Sequence, residues 1–386
     1  MRYAFKQIVI NPHQPVRQAG HIQQVDPVEE VHDDLHARIL ALDDNDKIFI
    51  NVSCDLLGIN VTFTRELKAL VKHCFDKPFE LVVSCTHTHY AGDTKDTNYY
   101  NQLLDQISEA IQLLEFKEVG EITTSFTAVT PFEEVGKSRI SHHDAITVLG
   151  DIKIYGDGEY LGSILYHNVH PTVLSASETH FFSAEWPGYA LNRLSEEHEG
   201  KFFTYLQGAS GDISTRFTRS SQDYEGVKEL GEKFVAKVDE LNQQEHERFP
   251  LNLAWHSITL QQSHEFNEIN FDEIPDYATA RELETISYGK IVRERLKEHP
   301  ENLTKEVTLS RVSLGSVTLV FSPNELFSGY IAYLDPTKAL LVCYSNGYSP
   351  YVTPIDKKLL TYETFTDTLT RECKENLIKV LTEYGN

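Results

Sequence analysis

Five short stretches of this 386-residue sequence carry side chains that suit metal or acid–base chemistry. Thr86-His87-Thr88-His89 is the sharpest of them. In an extended backbone, residues two apart point to the same face, so both imidazoles can aim at one centre. Imidazole suits zinc, and this spacing is a common ligand pattern. The alternative is a pair of core histidines; the apolar run before the motif and the small Thr86 and Thr88 favour function. His167 and His170 are three apart, so on a strand they face opposite ways and at most one reaches a shared site. His170 precedes Pro171, which biases it to an extended or turn backbone. Glu325 follows an apolar run and Pro323-Asn324; it suits a His/His/Glu metal set or, alternatively, a helix cap. Tyr351, in a Tyr/Pro-rich loop, would by itself be a packing residue. Gly208-Ala209-Ser210-Gly211-Asp212-Ile213-Ser214 is a glycine-punctuated turn that matches neither a phosphate-cradling loop nor a nucleophile elbow. In such a turn a serine usually bonds the backbone, and Asp212 is expected to be buried and to hold the turn in shape.

The elements around these stretches indicate how they are positioned. Runs rich in β-branched and aromatic residues predict strands over 47–54, 80–84, 163–166, 202–206, 317–321 and 339–344. Apolar spacing predicts amphipathic helices over 64–75, 98–115, 187–198, 222–243, 277–297 and 367–382, with Asp367 as the cap of the last. Alternating strands and helices predict an α/β fold with mixed sheets flanked by helices. Every chemistry-bearing stretch follows a predicted strand, and open α/β sheets bind ligands beyond the carboxyl ends of their strands. No linker or repeat interrupts the sequence, so residues 1–386 are expected to form one domain. The polar stretch 245–310 reads as helices inserted between strands.

Composition narrows the function classes. With 35 Lys and Arg against 58 Asp and Glu, the net charge is −23. A surface this acidic repels polyphosphate, so no nucleic-acid partner is expected. No stretch approaches the ~18 apolar residues of a membrane helix. The opening residues, interrupted by Lys6 and Gln7, do not read as a secretory leader. The five cysteines include no CxxC pair and fit reduced thiols, with Cys54 and Cys85 as packing residues. A cytoplasmic location is the expectation.

Taken in order, the motifs resemble the catalytic domain of the neutral, non-lysosomal ceramidase family. Thr86-His87-Thr88-His89 matches the family's Thr-His-Thr-His, and His170-Pro171-Thr172 its His-Pro-Thr. Ser183-Ala184-Glu185 and Gly188-Tyr189 follow the second motif and resemble the family's Ser-Ala-Asp and Gly-Tyr, with Glu185 in place of Asp. Gly211-Asp212-Ile213-Ser214 matches Gly-Asp-Val-Ser, and Pro323-Asn324-Glu325-Leu326-Phe327 matches Pro-Gly-Glu-Pro-Phe. Asn346, Tyr348 and Tyr351, then Tyr362-Glu363, complete the series, which spans about residues 20 to 365. The departures are Tyr90-Ala91-Gly92-Asp93 in place of Ser-Gly-Pro-Gly-Gly, Thr215-Arg216 in place of Pro-Asn, and no expected C-terminal β-sandwich domain.

The resemblance implies zinc on His87, His170, Glu325 and Tyr351. It implies His89 and Ser214 as catalytic residues beside the metal, Tyr362 lining the same pocket, Arg139 as the active-site arginine, and Gly20 near the substrate amide. The implied activity is zinc-dependent hydrolysis of an N-acyl amide, ceramide-like or a related lipid amide, by metal-activated water. Alternatives are a non-sphingolipid amide or ester substrate, or a catalytically silent zinc or small-molecule binding protein. A metallo-β-lactamase type fits worse, since Asp93 lies four beyond His89 with no accompanying His. A barrel amidohydrolase would carry its histidine pair nearer the N-terminus.

Overall fold

The computed structural model describes residues 1–21, 26–140, 143–175, 180–244, 246–266, 279–355 and 361–385. Three mixed sheets organise it. In the first, the strand order is Phe79–Cys85, Ile48–Cys54, His36–Asp43, Arg2–Val9 and Lys117–Glu118. The second runs Phe202–Gln207, Glu159–His167, Leu149–Gly156, Ile122–Val129 and Phe249–Pro250. The third runs Leu253–Gln261, Glu306–Leu314, Thr318–Phe321 and Ala339–Val342. With their flanking helices these sheets make the expected α/β fold.

All three sheets repeat one connection. An antiparallel pair is followed by a crossover to a strand parallel to the pair's second member. The crossovers pass through the helices Val61–Val71 and Glu185–Glu197 and the 3-10 segment Ser328–Tyr333. The three parallel strands then finish against one another. Cys85 N donates to Tyr344 O at 3.0 Å, Cys343 N donates to Gln207 O at 2.9 Å, and isolated bridges join Ser84 to Ser345 and Gly208 to Val342. Strand ends from three sheets therefore open on one place, where the fold leaves backbone ends and loops to carry a site.

Local chemistry sets most helix starts. Asn60 accepts from Thr62 N, Asp96 from Asn98 N and Tyr99 N, and Asp223 from Glu225 N and Gly226 N. Each side-chain oxygen satisfies donors that the first helical turn leaves unpaired. The expected helix 64–75 is Val61–Val71 closed by a 3-10 turn, and 98–115 is Thr97–Gln112.

Two expectations are corrected. The last helix is Arg371–Gly385, and Asp367 does not cap it. Asp367 instead accepts from Thr353 N and Oγ1 and pairs with Lys374 at 2.5 Å. A tertiary partner outcompetes the local cap. The second concerns 245–310, read as helices inserted between strands: the helix Ala280–Glu298 is there, but two long strands that the reading did not name, Leu253–Gln261 and Glu306–Leu314, flank it. Residues 277 and 278 of the predicted helix lie outside the described residues, and in Ala280–Glu298 the buried positions Ile286, Gly289 and Arg293 share one face. The first strand alternates exposed and partly buried residues as a half-solvated edge strand does. Its exposed polar residues His256, Ser257, Thr259 and Gln261 hid it.

The larger core draws on all three sheets and includes Cys54 and Cys85, both buried. A second core lies under the helices Glu185–Glu197 and Tyr224–Asn242, where Trp186 packs at 5.4 Å from Phe234. No helix among the described residues is long and apolar enough to cross a membrane.

Candidate metal centre

Past Cys85 the chain leaves the strand, and His87 adopts φ 69°. The two imidazoles of the His87/His89 pair therefore converge through a left-handed turn and not through strand alternation. Such a conformation costs a non-glycine residue about 1–3 kcal/mol and persists where its surroundings over-determine it. Here His87 N donates to Leu56 O at 2.8 Å, and Nδ1 meets Leu57 O at 2.8 Å. The ring lies 3.8 Å from that of Tyr344, nearly parallel.

The other two imidazoles are held alike. His89 Nδ1 lies 3.1 Å from Gly20 O, and His170 Nδ1 lies 2.7 Å from Ser210 O and 3.1 Å from Ile213 O. A backbone carbonyl only accepts, so each Nδ1 must carry the proton and each Nε2 must present a lone pair. The three histidines form a group whose ligand atoms lie within 4.8 Å of one another. Glu325 faces them, with Oε1 3.4 Å from His87 Nε2 and 3.0 Å from His170 Nε2. All three Nε2 atoms and Glu325 Oε1 are buried without a hydrogen-bond partner.

Lone pairs and a carboxylate this close repel unless something positive sits between them. A proton does not serve well. Burial pushes His170 down to about 4, with the Arg139 charge adding to the effect, and holds His89 well below the usual range. A divalent cation does, and imidazoles with a carboxylate oxygen are donors that suit zinc. These residues fit the metal.

Beside this group lies a second one. Glu325 and Tyr351 are opposite one another where the strands Asn324–Leu326 and Ser349–Val352 pair in parallel. Tyr351 Oη accepts from Arg139 Nη2 at 3.0 Å, and the same Nη2 donates to Gly211 O at 2.7 Å and pairs with Glu363 at 2.7 Å. Burial works against the Arg139 charge, but Glu363 and Tyr351 outweigh it and keep the guanidinium cationic. Tyr362 stands edge-on to Tyr351 at 5.8 Å.

Each residue singled out in the sequence can now be located. His87, His89, His170 and Glu325 come together. Tyr351 sits beside Glu325 with its hydroxyl engaged by Arg139, and Tyr362 stands against it. Ser214 is buried, follows the carbonyl that receives His170, and accepts from Arg216 N at 3.3 Å. Asp212 holds its turn as expected: it accepts from Ser328 N at 2.6 Å and Ser328 Oγ at 2.9 Å, with His143 Nε2 at 2.8 Å. His167 points away from the centre, its Nδ1 on Val148 O at 2.7 Å and its ring beside Phe132 and Phe234. Sequence reasoning missed Tyr344 against His87, and missed Leu57, whose carbonyl aims that ring. Tyr344 ends a predicted strand, which was its only signal; a residue acting through its carbonyl leaves none.

No protein-family model and no curated protein sequence matches the chain. Solved structures do. Neutral ceramidase from Pseudomonas aeruginosa superposes with a TM-score of 0.76 at 13% identity, over 100% of this chain and 74% of that one. A ceramidase complexed with C2 superposes at 0.77 and 13% identity, with the same coverage. The sequence resemblance and the fold thus agree: the described architecture has the fold of these ceramidase structures.

Proposed function

We propose that the protein is a zinc-dependent amidohydrolase that cleaves the amide bond of an N-acyl lipid, ceramide or a near relative. The observation that carries this reading is the set of four buried, unpartnered acceptors on His87, His89, His170 and Glu325. Its fold, shared with ceramidases, supports the substrate class.

When bound, zinc supplies a Lewis acid for the scissile carbonyl and lowers the pKa of a bound water from 15.7 to ~7. The protein's own groups divide the remaining work. His87, His170 and Glu325 hold the ion, with Tyr351 in register beside them. Glu325 approaches His87 and His170, whereas His89 makes no such ion pair among the described residues. His89, neutral and with Nε2 bare, therefore suits general-base work, taking the proton of an attacking water and passing it to the departing amine. Arg139, kept cationic by Glu363, polarises the Tyr351 hydroxyl toward negative charge developing on the carbonyl oxygen. Ser214 supplies a buried hydroxyl for the substrate amide, and Tyr362 walls the pocket.

Gly20 links the sequence to the placement of His89. A Cβ at Gly20 would lie 2.3 Å from His89 Cβ, so a side chain there displaces the imidazole. Gly20→Ala is expected to lower turnover about 10²-fold, as a misplacement near 1 Å does, with zinc content retained. Steady-state kinetics beside metal analysis checks this.

The proposal as a whole is tested by measuring zinc in the purified protein and product release from N-acyl sphingosines, other N-acyl amides and esters, with and without chelator. Chelator-sensitive release of fatty acid from the N-acyl amides is the expected result. Stoichiometric zinc with no turnover of any acyl substrate would instead establish a binding protein.

A further inference from the structure

Glu325 presents only one oxygen to the imidazoles. Its other oxygen, Oε2, accepts a hydrogen bond from the Tyr348 hydroxyl at 2.8 Å. Resting on the metal centre read above, we propose that Tyr348 is a positioning residue that holds Glu325 as a single-oxygen ligand. A carboxylate free to turn can chelate an ion with both oxygens; a phenol fastened to Oε2 occupies one and leaves Oε1 aimed at the point that His87 and His170 share.

Tyr348 can do this only if its own ring is fixed, and two elements fix it. A Cβ at Gly58 would lie 2.7 Å from Tyr348 Cβ and Cγ, so the ring is packed directly on the glycine backbone. The preceding carbonyl, Leu57 O, is the one that aims His87. Two consecutive residues thus set the direction of two ligands, His87 by a carbonyl and Glu325 through Tyr348. On the other side, Asn346 ties the Tyr348 turn to the strand that leads into His87. Asn346 N donates to Val83 O at 2.8 Å and its Oδ1 accepts from Val83 N at 3.0 Å. Asn346 at φ 58° and Gly347 at φ 152° make this turn possible. The ring of Tyr344 completes the unit, lying 3.8 Å from His87 and 6.2 Å from Tyr348.

The test is Tyr348→Phe, which keeps the ring and removes the one hydroxyl. Zinc affinity is measured by competition with a chromogenic chelator, and melting is followed with and without zinc. The expected result is a zinc affinity about 10–100-fold weaker than wild type, the usual cost of losing a partner that orients a metal ligand, with a smaller zinc-dependent rise in Tm. A purely structural role would lower the melting point of both forms together and leave the affinity alone. Gly58→Ala, which pushes the same ring, is expected to weaken zinc binding in the same direction. Stoichiometric zinc in wild type with affinity within about twofold in Tyr348→Phe overturns the inference, since an orienting partner costs far more. Wild-type protein that retains no metal overturns the centre itself, and this inference with it.

Discussion

His170→Ala is expected to strip the protein of tightly held zinc and to lower amide turnover about 10³-fold, the several kcal/mol that a metal contributes to an acyl-transfer transition state. Three contacts meet at this ring. Its Nδ1 is anchored by Ser210 O and Ile213 O, and its Nε2 lies 3.0 Å from Glu325. Alanine removes a ligand and leaves the carboxylate facing His87 alone. His167→Leu is the matched control, three residues earlier in the same stretch. That side chain lies in the core beside Phe132 and Phe234, so its loss affects stability but leaves zinc in place. Metal analysis after dialysis, beside kinetics on an N-acyl amide, separates the two. Full zinc and full turnover in His170→Ala would sink the site assignment.

Arg139→Met is expected to unfold more easily by about 3–5 kcal/mol, the cost of leaving one member of a buried ion pair alone, and to lose most activity. Glu363 is 5% exposed and its carboxylate pairs with Arg139 at 2.7 Å. Without the guanidinium, Glu363 is a buried uncompensated charge near Tyr351 and Glu325. Tyr351 also loses its donor, and Gly211 O loses its partner. The double variant Arg139→Met/Glu363→Gln tests the cause. It is expected to recover most of the stability in urea unfolding, because the stranded charge is gone. Activity is expected to stay low, because the donor that polarises Tyr351 is still missing. Recovery of both together would show that Arg139 serves the fold alone.

Much of the fold was legible from residue order. Apolar spacing, which is local, placed the helices seen as Val61–Val71, Thr97–Gln112 and Tyr224–Asn242, though not their capping residues Asn60, Asp96 and Asp223. Buried strands such as Ile48–Cys54 announce themselves as unbroken apolar runs. The edge strand Leu253–Gln261 did not, because a strand solvated on one face carries polar residues that mimic loop or helix composition. The helix cap assigned to Asp367 failed for a related reason. A carboxylate near a helix start has several possible donors, and Lys374 and Thr353 are brought to it by packing.

By itself the sequence determined which residue types stand at the ends of which strands, and so which side chains were candidates for metal and acid–base chemistry. Side-chain identity and local spacing are written along the chain, and they single out His87, His89, His170 and Glu325 as candidates without coordinates; Tyr351 and Arg139 entered only through the family resemblance. Tertiary structure alone decided how those groups are aimed. It turned His87 through a left-handed backbone, committed three Nδ1 atoms to carbonyls of Leu57, Gly20, Ser210 and Ile213, and set Tyr348 on Glu325. The physical reason is that every residue owns a carbonyl. Which one reaches a given imidazole depends on how distant segments pack, and no residue type records that choice.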